Sequence, residues 1–266
     1  PLDTRTPREK FNNLKKIIKP KFIISKESHI KYLDLLEYEK LNQDHTSLIL
    51  FTSGTTGEPK GIKLSANSFI GLSQSFGKLA DYDENSVIYH CLPMHYNAGI
   101  LNTFFAGILK GSKIILGSKI DSMNIFSLLS SISKYSITSI HLTPEIANGL
   151  CQIHSSFSEK QSLKKINNII CTGSYLYEDT RDKFEKIFSK RILSCYGLTE
   201  IGGPVTLEKW EDTFEENSAG QILSEVKIKI KKKKKLNHIM VKSPYLFDGY
   251  LLKNSKNQKP KLENGF

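Results

Sequence analysis

The stretch Ser47-Leu-Ile-Leu-Phe-Thr-Ser-Gly-Thr-Thr-Gly-Glu-Pro-Lys-Gly61 runs four apolar residues straight into a loop of hydroxyls, glycines and a lysine. Leu48 to Phe51 is short, apolar and soon followed by glycine, the pattern of a buried strand. Gly54 and Gly57 remove Cβ atoms that would hold an anion away from backbone N–H groups, and they permit the positive φ that an anion cradle uses. Thr52, Ser53, Thr55 and Thr56 add hydroxyl donors, and Lys60 adds a positive charge on a flexible stem. A strand that empties into such a loop suits polyphosphate. It is not a Walker A loop, because two residues separate Gly54 from Gly57 where that pattern needs four before its Gly-Lys pair. The competing reading of the same composition is a Ser/Thr/Gly-rich surface turn.

The rest of the chain narrows the class. With 266 residues there is room for a large core and two folding units, and 39% aliphatic and aromatic content is ordinary for a soluble protein. The longest apolar run, Ala98 to Leu109, is too short to span a bilayer and is interrupted by Asn102 and Thr103, so it reads as a core helix. No signal peptide or transmembrane segment is visible. Cys91, Cys151, Cys171 and Cys195 lie far apart with no metal-ligand spacing, as expected of reduced, buried thiols in a cytoplasmic protein. The formal charge of +11, from 38 Lys and Arg against 27 Asp and Glu, is spread over the chain with little Arg and no aromatic interleaving. That points to a solvated basic face, and no nucleic-acid partner is expected.

Taken in order, strands and helices alternate. Thr6 can cap a helix that starts at Pro7 and presents Leu14, Ile17 and Ile18, and Lys21 to Ser25 reads as a strand. Ser28 to His45 reads as a charged connection. A helix starts at Ser65 or Asn67 and runs to Leu79, and Ser86 to Leu92 is a strand ended by Pro93. The apolar helix, a Lys113 to Leu116 strand and an amphipathic helix from Asp121 to about Lys134 follow. Further strands are expected at Ile137 to Leu142, Asn168 to Cys171 and Arg191 to Cys195, with helices at Pro144 to His154 and Glu178 to Phe188. This alternation predicts an α/β fold of largely parallel sheets flanked by helices, with the ligand at the carboxyl ends of strands.

Two further strand ends carry unusual residues. In Cys171-Thr-Gly-Ser174, Gly173 lets a flat ligand lie against the backbone. In Cys195-Tyr-Gly-Leu-Thr-Glu200, Tyr196 can stack on a purine, Gly197 clears space, Thr199 can donate to a phosphate and Glu200 can ligate Mg²⁺.

Together these motifs resemble the adenylate-forming superfamily of acyl-CoA synthetases, nonribosomal peptide adenylation domains and firefly-type luciferases, over nearly the whole chain. Thr52 to Gly61 is similar to its phosphate loop, Tyr196-Gly-Leu-Thr-Glu200 to its Tyr-Gly-x-Thr-Glu motif, and Leu92-Pro-Met-His95 to the acyl-pocket Pro-x-x-His of CoA ligases. Ala219 to Ile222 and His238 to Tyr250 resemble the small β subdomain that follows. The resemblance implies an end of a first α/β subdomain over residues 1–46, an ATP- and acyl-binding α/β subdomain over 47–210 and part of a β subdomain over 211–266. Two departures stand out. Ser194 replaces the Asn or Gln that many members aim at the adenine amino group, and the Lys231 to Lys235 run replaces a short polar turn and reads as an exposed hairpin tip.

The family's reaction has two steps: a carboxylate attacks the α-phosphate of ATP to give acyl-AMP and pyrophosphate, then a thiol takes the acyl group. The resemblance assigns Lys60, Thr199 and Glu200 to catalysis. It assigns Thr52, Ser53, Gly54, Thr55, Thr56, Gly57, Lys60, Gly173, Ser174, Tyr196, Gly197 and Thr199 to the nucleotide, and Glu200 with Thr56 to Mg²⁺. His95, Tyr96 and Gly99 fall in the acyl pocket, while His90 and His141 read as structural. ATP, Mg²⁺ and coenzyme A are the implied cofactors and co-substrate, with an acyl carrier protein as the alternative acceptor and a non-catalytic nucleotide-binding protein as the alternative class. No acidic residue from Val87 to Lys110 is present to pair an ammonium, which favours a fatty or aryl acid over an amino acid. The chain stops at Phe266 before the family's Thr-Gly-Asp motif and C-terminal domain, so poor adenylation by these residues alone is expected.

Overall fold

The computed structural model describes residues 6–18, 46–53, 59–117, 120, 125–153, 163, 166–211, 217–232, 237–251, 262 and 266. Its centre is a seven-stranded sheet in the order β4-β3-β5-β6-β7-β8-β9. These strands are β3 (Val87–His90), β4 (Lys113–Leu116), β5 (Ser139–Leu142), β6 (Asn168–Cys171), β7 (Leu193–Leu198), β8 (Gly203–Leu207) and β9 (Gln221–Ile222). The pairs from β4 through β7 are parallel, and β8 and β9 return antiparallel. The fold is therefore the expected α/β arrangement of a largely parallel sheet flanked by helices.

Both faces of this sheet are covered, which is why its strands read as continuous apolar runs. On one face α4 (Ile125–Tyr135), α5 (Pro144–Ile153) and α6 (Glu178–Phe188) bury Leu128, Ile132, Ala147, Leu150, Phe184 and Phe188 against Ile140, Leu142 and Ile169. On the other, α2 (Ala66–Leu79) and α3 (Ala106–Leu109) bring Phe76 and Ala106 against Ile88, Ile170, Leu193 and Cys195. Ile169 and Ile170 thus face opposite sides, as the two-residue period of a strand requires. Ser65 caps α2 by accepting the Ser68 N–H at 3.2 Å. The first helix, α1 (Arg8–Ile18), buries Leu14, whereas the Lys21 to Ser25 strand lies outside the described residues.

Three elements differ from the sequence reading. The phosphate-loop strand β1 (Thr46–Ser53) does not join the parallel sheet: it pairs antiparallel with β2 (Pro59–Ser65) in a separate sheet, β1-β2-β12, where β12 is Gly249–Leu251. Ile62 and Leu64 are buried in alternation with Lys63, a strand pattern masked by the Pro-Lys-Gly beside it. The Ala98 to Leu109 helix opens with wide π turns over Ala98–Phe105, and Ala106 N–H reaches back to Leu101 O. Thr103 Oγ1 donates to Gly99 O at 2.7 Å, the kind of side-chain intrusion that distorts a helical ladder. Finally, the strand expected to end at Cys195 continues through Leu198, because β8 pairs with it, and Gln221–Ile222 extends the same sheet.

The remaining ribbon, β10 (Lys227–Lys232) and β11 (Asn237–Lys242), is antiparallel and ends with Lys232 opposite Asn237. Lys231 and Lys232 thus lie at the tip end of this ribbon, and Lys233 to Lys235 lie outside the described residues. All four cysteines are free and buried.

Candidate functional site

A cavity of about 810 Å³ opens where the β1–β2 hairpin, the segment between β6 and α6, the end of β7 and residues 217–219 converge. From the hairpin come Thr52 and Lys60, which the strand register places opposite each other. Gly173 and Ser174 line it from the end of β6, and Tyr196, Gly197, Thr199 and Glu200 from the end of β7. Tyr96 reaches it from the turn before the π segment. Gly54, Thr55, Thr56 and Gly57 lie outside the described residues, as does the side chain of Ser53. His95 and Gly99 are not among the lining residues. Gly99 packs instead on the chain after β3: a Cβ there would lie 2.3 Å from Pro93 O.

Two glycines have reasons that sequence alone does not reveal. Gly173 sits at φ +107°, and a Cβ on it would come within 2.5 Å of the Tyr96 hydroxyl. Its missing side chain makes room for a neighbouring tyrosine as well as for a ligand. Gly197 faces the β8 backbone, where a Cβ would lie 2.2 Å from Gly203 O, and the β7–β8 register shifts between Tyr196 and Gly197.

At the hairpin end the charges are held by one tyrosine. Tyr250 OH donates to Glu200 Oε1 at 3.3 Å, and Lys60 Nζ lies 5.7 Å from the centre of the Tyr250 ring. Burial, with the Glu200 carboxylate beside it, pushes the Tyr250 phenol pKa up, so it stays a donor. Glu200 has no basic partner among the described residues and lines the cavity as a hard oxygen donor, which fits Mg²⁺. The other expected ligand, Thr56, lies outside the described residues.

The opposite end is a closed ion network. Arg181 and Glu208 are 3% and 2% exposed, with Arg181 Nη1 2.7 Å from Glu208 Oε2. The same carboxylate oxygen accepts Ser194 N–H at 2.6 Å, and Arg191 Nη2 approaches Oε1 at 3.4 Å. Arg181 Nε also lies 3.5 Å from Glu178 Oε2. Arg181, Glu178 and Ser194 all line the cavity. The sequence reading singles out Ser194 but not Arg181 or Glu178, although Arg181, Phe184 and Phe188 are all buried on α6 and a charge on that face is a readable signal. Tyr250 was likewise quoted only as part of a β subdomain.

His90 and His141 belong to the core. His90 Nδ1 lies 2.6 Å from Thr103 Oγ1, whose own proton goes to Gly99 O, so the imidazole is the donor. His141 meets Tyr82 OH at 3.0 Å and packs edge-on to Phe76. Burial, reinforced by His90, pushes its pKa down to about 3.

The profile of the family described as AMP-binding enzyme matches residues 5–251. The peroxisomal OPC-8:0-CoA ligase 1 of Arabidopsis thaliana is 30% identical over 227 residues, 80% of this chain and 40% of that one. Malonate–CoA ligase of the same plant is 26% identical over 234 residues, 82% of this chain and 38% of its own. Among solved structures, ATP-bound MatB from Rhodopseudomonas palustris superposes with a TM-score of 0.71 at 22% identity, covering 81% of this chain and 43% of that one. MenE, the O-succinylbenzoate coenzyme A synthetase of Bacillus subtilis in complex with AMP, gives 0.70 at 22%, covering 84% and 57%. The chain therefore spans about 40% of the length of these curated relatives.

Proposed function

The chain belongs to the family of AMP-binding enzymes, and from that premise we propose that the protein activates a carboxylic acid with ATP and then passes the acyl group to the thiol of coenzyme A. The observation that carries this reading is the convergence of Thr52 and Lys60 from a hairpin with Thr199 and Glu200 from the end of β7 on one cavity. CoA ligases among its relatives support it.

Attack of a carboxylate on the α-phosphorus joins two anions, so the step needs charge neutralisation and alignment more than proton transfer. Lys60 supplies the positive charge at the mouth of the hairpin. Thr52 and Thr199 donate hydroxyl hydrogen bonds to phosphate oxygens, and Gly54 to Gly57 cradle the same phosphates. Tyr196 and Gly173 bracket the base, Ser174 lies beside it, and Tyr96 meets the acyl group. Glu200, with Thr56 as the second expected ligand, would hold Mg²⁺, which would offset the phosphate charge.

From Val87 to Lys110 there is no acidic residue. An ammonium would find no counter-charge there, so a fatty or aryl acid is the substrate class. Four buried free thiols support a reducing compartment, the cytoplasm. ATP–pyrophosphate exchange in the full-length protein tests this with fatty, aryl, dicarboxylic and α-amino acids. Exchange driven by a fatty or aryl acid is expected. Exchange driven only by an amino acid overturns the substrate class, and nucleotide binding with no exchange for any acid overturns the activity.

A further inference from the structure

Lys60 and Glu200 carry opposite charges into one cavity, yet they form no ion pair with each other. Tyr250 stands with both. Its ring faces the Lys60 ammonium, and its hydroxyl is bonded to Glu200 Oε1. The register explains how: β12 places Tyr250 opposite Ile62 on β2, two residues along from Lys60 on the same face of that strand. Phe247 packs against the Tyr250 ring at 4.8 Å between centroids, and its backbone N–H donates to Glu200 O at 3.2 Å. Asp248 N–H bonds Lys63 O at 2.8 Å. Residues 247–250 therefore grip Glu200 at main chain and side chain while being tied to β2.

We propose that Tyr250 is a positioning residue for the metal-binding carboxylate, holding Glu200 and Lys60 apart so that the space between them admits metal and phosphate. The inference rests on the reading of Glu200 as the Mg²⁺ ligand. A neutral hydroxyl orients Glu200 through Oε1 without discharging it. Glu200 Oε2 keeps no partner among the described residues and is left for a cation. Direct pairing of Lys60 with Glu200 would instead tie up both groups, and each would have to be released before a ligand could use them. A hydrogen-bond partner that fixes a carboxylate's orientation toward a cation typically changes metal affinity about 10- to 100-fold when removed.

The test is Mn²⁺ binding in the full-length protein, followed by electron paramagnetic resonance in the presence of a non-hydrolysable ATP analogue. Metal-free affinity for the analogue is measured alongside by calorimetry. Tyr250→Phe removes the hydroxyl and keeps the ring under Lys60. It is expected to weaken Mn²⁺ binding by about tenfold or more and to leave metal-free nucleotide affinity within about twofold. Glu200→Gln is the control for the underlying reading: if it leaves Mn²⁺ affinity intact, Glu200 is not a ligand and that reading fails. If Glu200→Gln abolishes binding while Tyr250→Phe matches the parent protein, the positioning role is overturned and the ligand assignment stands. A second measurement needs no loss of side chain. With 3-fluorotyrosine at position 250, the fluorine resonance is expected to move when Mg²⁺ joins the bound analogue. An unmoved resonance also overturns the proposal.

Discussion

The two ends of the cavity handle charge in opposite ways. At the Arg181 end the charges are paired and the central two are buried: Glu208 takes two arginines and a backbone N–H, and Arg181 and Glu208 are both nearly inaccessible. At the hairpin end Lys60 and Glu200 face the cavity on weak, neutral partners, a ring face and a hydroxyl. Saturated charges fix a wall, whereas loosely held charges remain available to a ligand. Buried ion pairs add little net stability against an apolar core, but removing one member is costly, so such a network enforces geometry more than it adds free energy.

Substitutions at the two ends should separate stability from ligand chemistry. Glu208→Gln is expected to destabilise the protein by about 3–5 kcal/mol in urea denaturation, since Arg181 loses its buried counter-charge. Lys60→Met is expected to change stability by less than about 0.5 kcal/mol, while pyrophosphate exchange falls about 10²- to 10³-fold, as when one donor to developing charge is lost. A large stability loss from Lys60→Met would erase the distinction. Gly173→Ala probes the junction between the ends. Its positive φ costs about 1–3 kcal/mol, and the methyl meets the Tyr96 hydroxyl. Adding Tyr96→Phe should recover part of the loss in thermal denaturation, because only the contact is relieved.

Within the central sheet, a fully buried imidazole on β5 ties stability to pH. His141 has a folded pKa of about 3 against an unfolded value of 6.5. Between these values the unfolded chain binds a proton that the folded chain refuses, so stability is present above 6.5 and is lost as pH falls. The slope is about 1.4 kcal/mol per pH unit. His141→Gln should remove that slope between pH 6.5 and 5, as measured by denaturation midpoints across the window.

Much of this was legible in the residues. Asn168 to Cys171 and Glu178 to Phe188 coincide with β6 and α6, because a fully buried parallel strand and an amphipathic helix each write a clear period. Thr52, Lys60, Gly173, Tyr196, Thr199 and Glu200 do converge. Two kinds of feature stay hidden: strands whose Gly and Pro read as loop, and contacts between elements far apart in the chain. The β1–β2 hairpin was missed because Pro59-Lys-Gly61 looks like loop, and β8 because Gly202-Gly-Pro204 looks like a turn. His95 and Gly99 are not among the residues that line the cavity, and Gly99 lies in the first turn of a core helix in which Leu101 and Thr103 are fully buried. Arg181, Glu208 and Tyr250 gain their roles only when α6, β8 and β12 come together, and local periodicity cannot report that.

We propose that the hairpin end takes the polyphosphate and metal while the Arg181 end walls the base. Crystals of the full-length protein with a non-hydrolysable ATP analogue and Mn²⁺, recorded at the manganese absorption edge, test it directly. An anomalous peak is expected about 2.1 Å from a Glu200 carboxylate oxygen, with phosphates against Thr52 and Lys60 and the base between Gly173 and Tyr196. A nucleotide bound with its phosphates toward Arg181, or a metal peak away from Glu200, would contradict it.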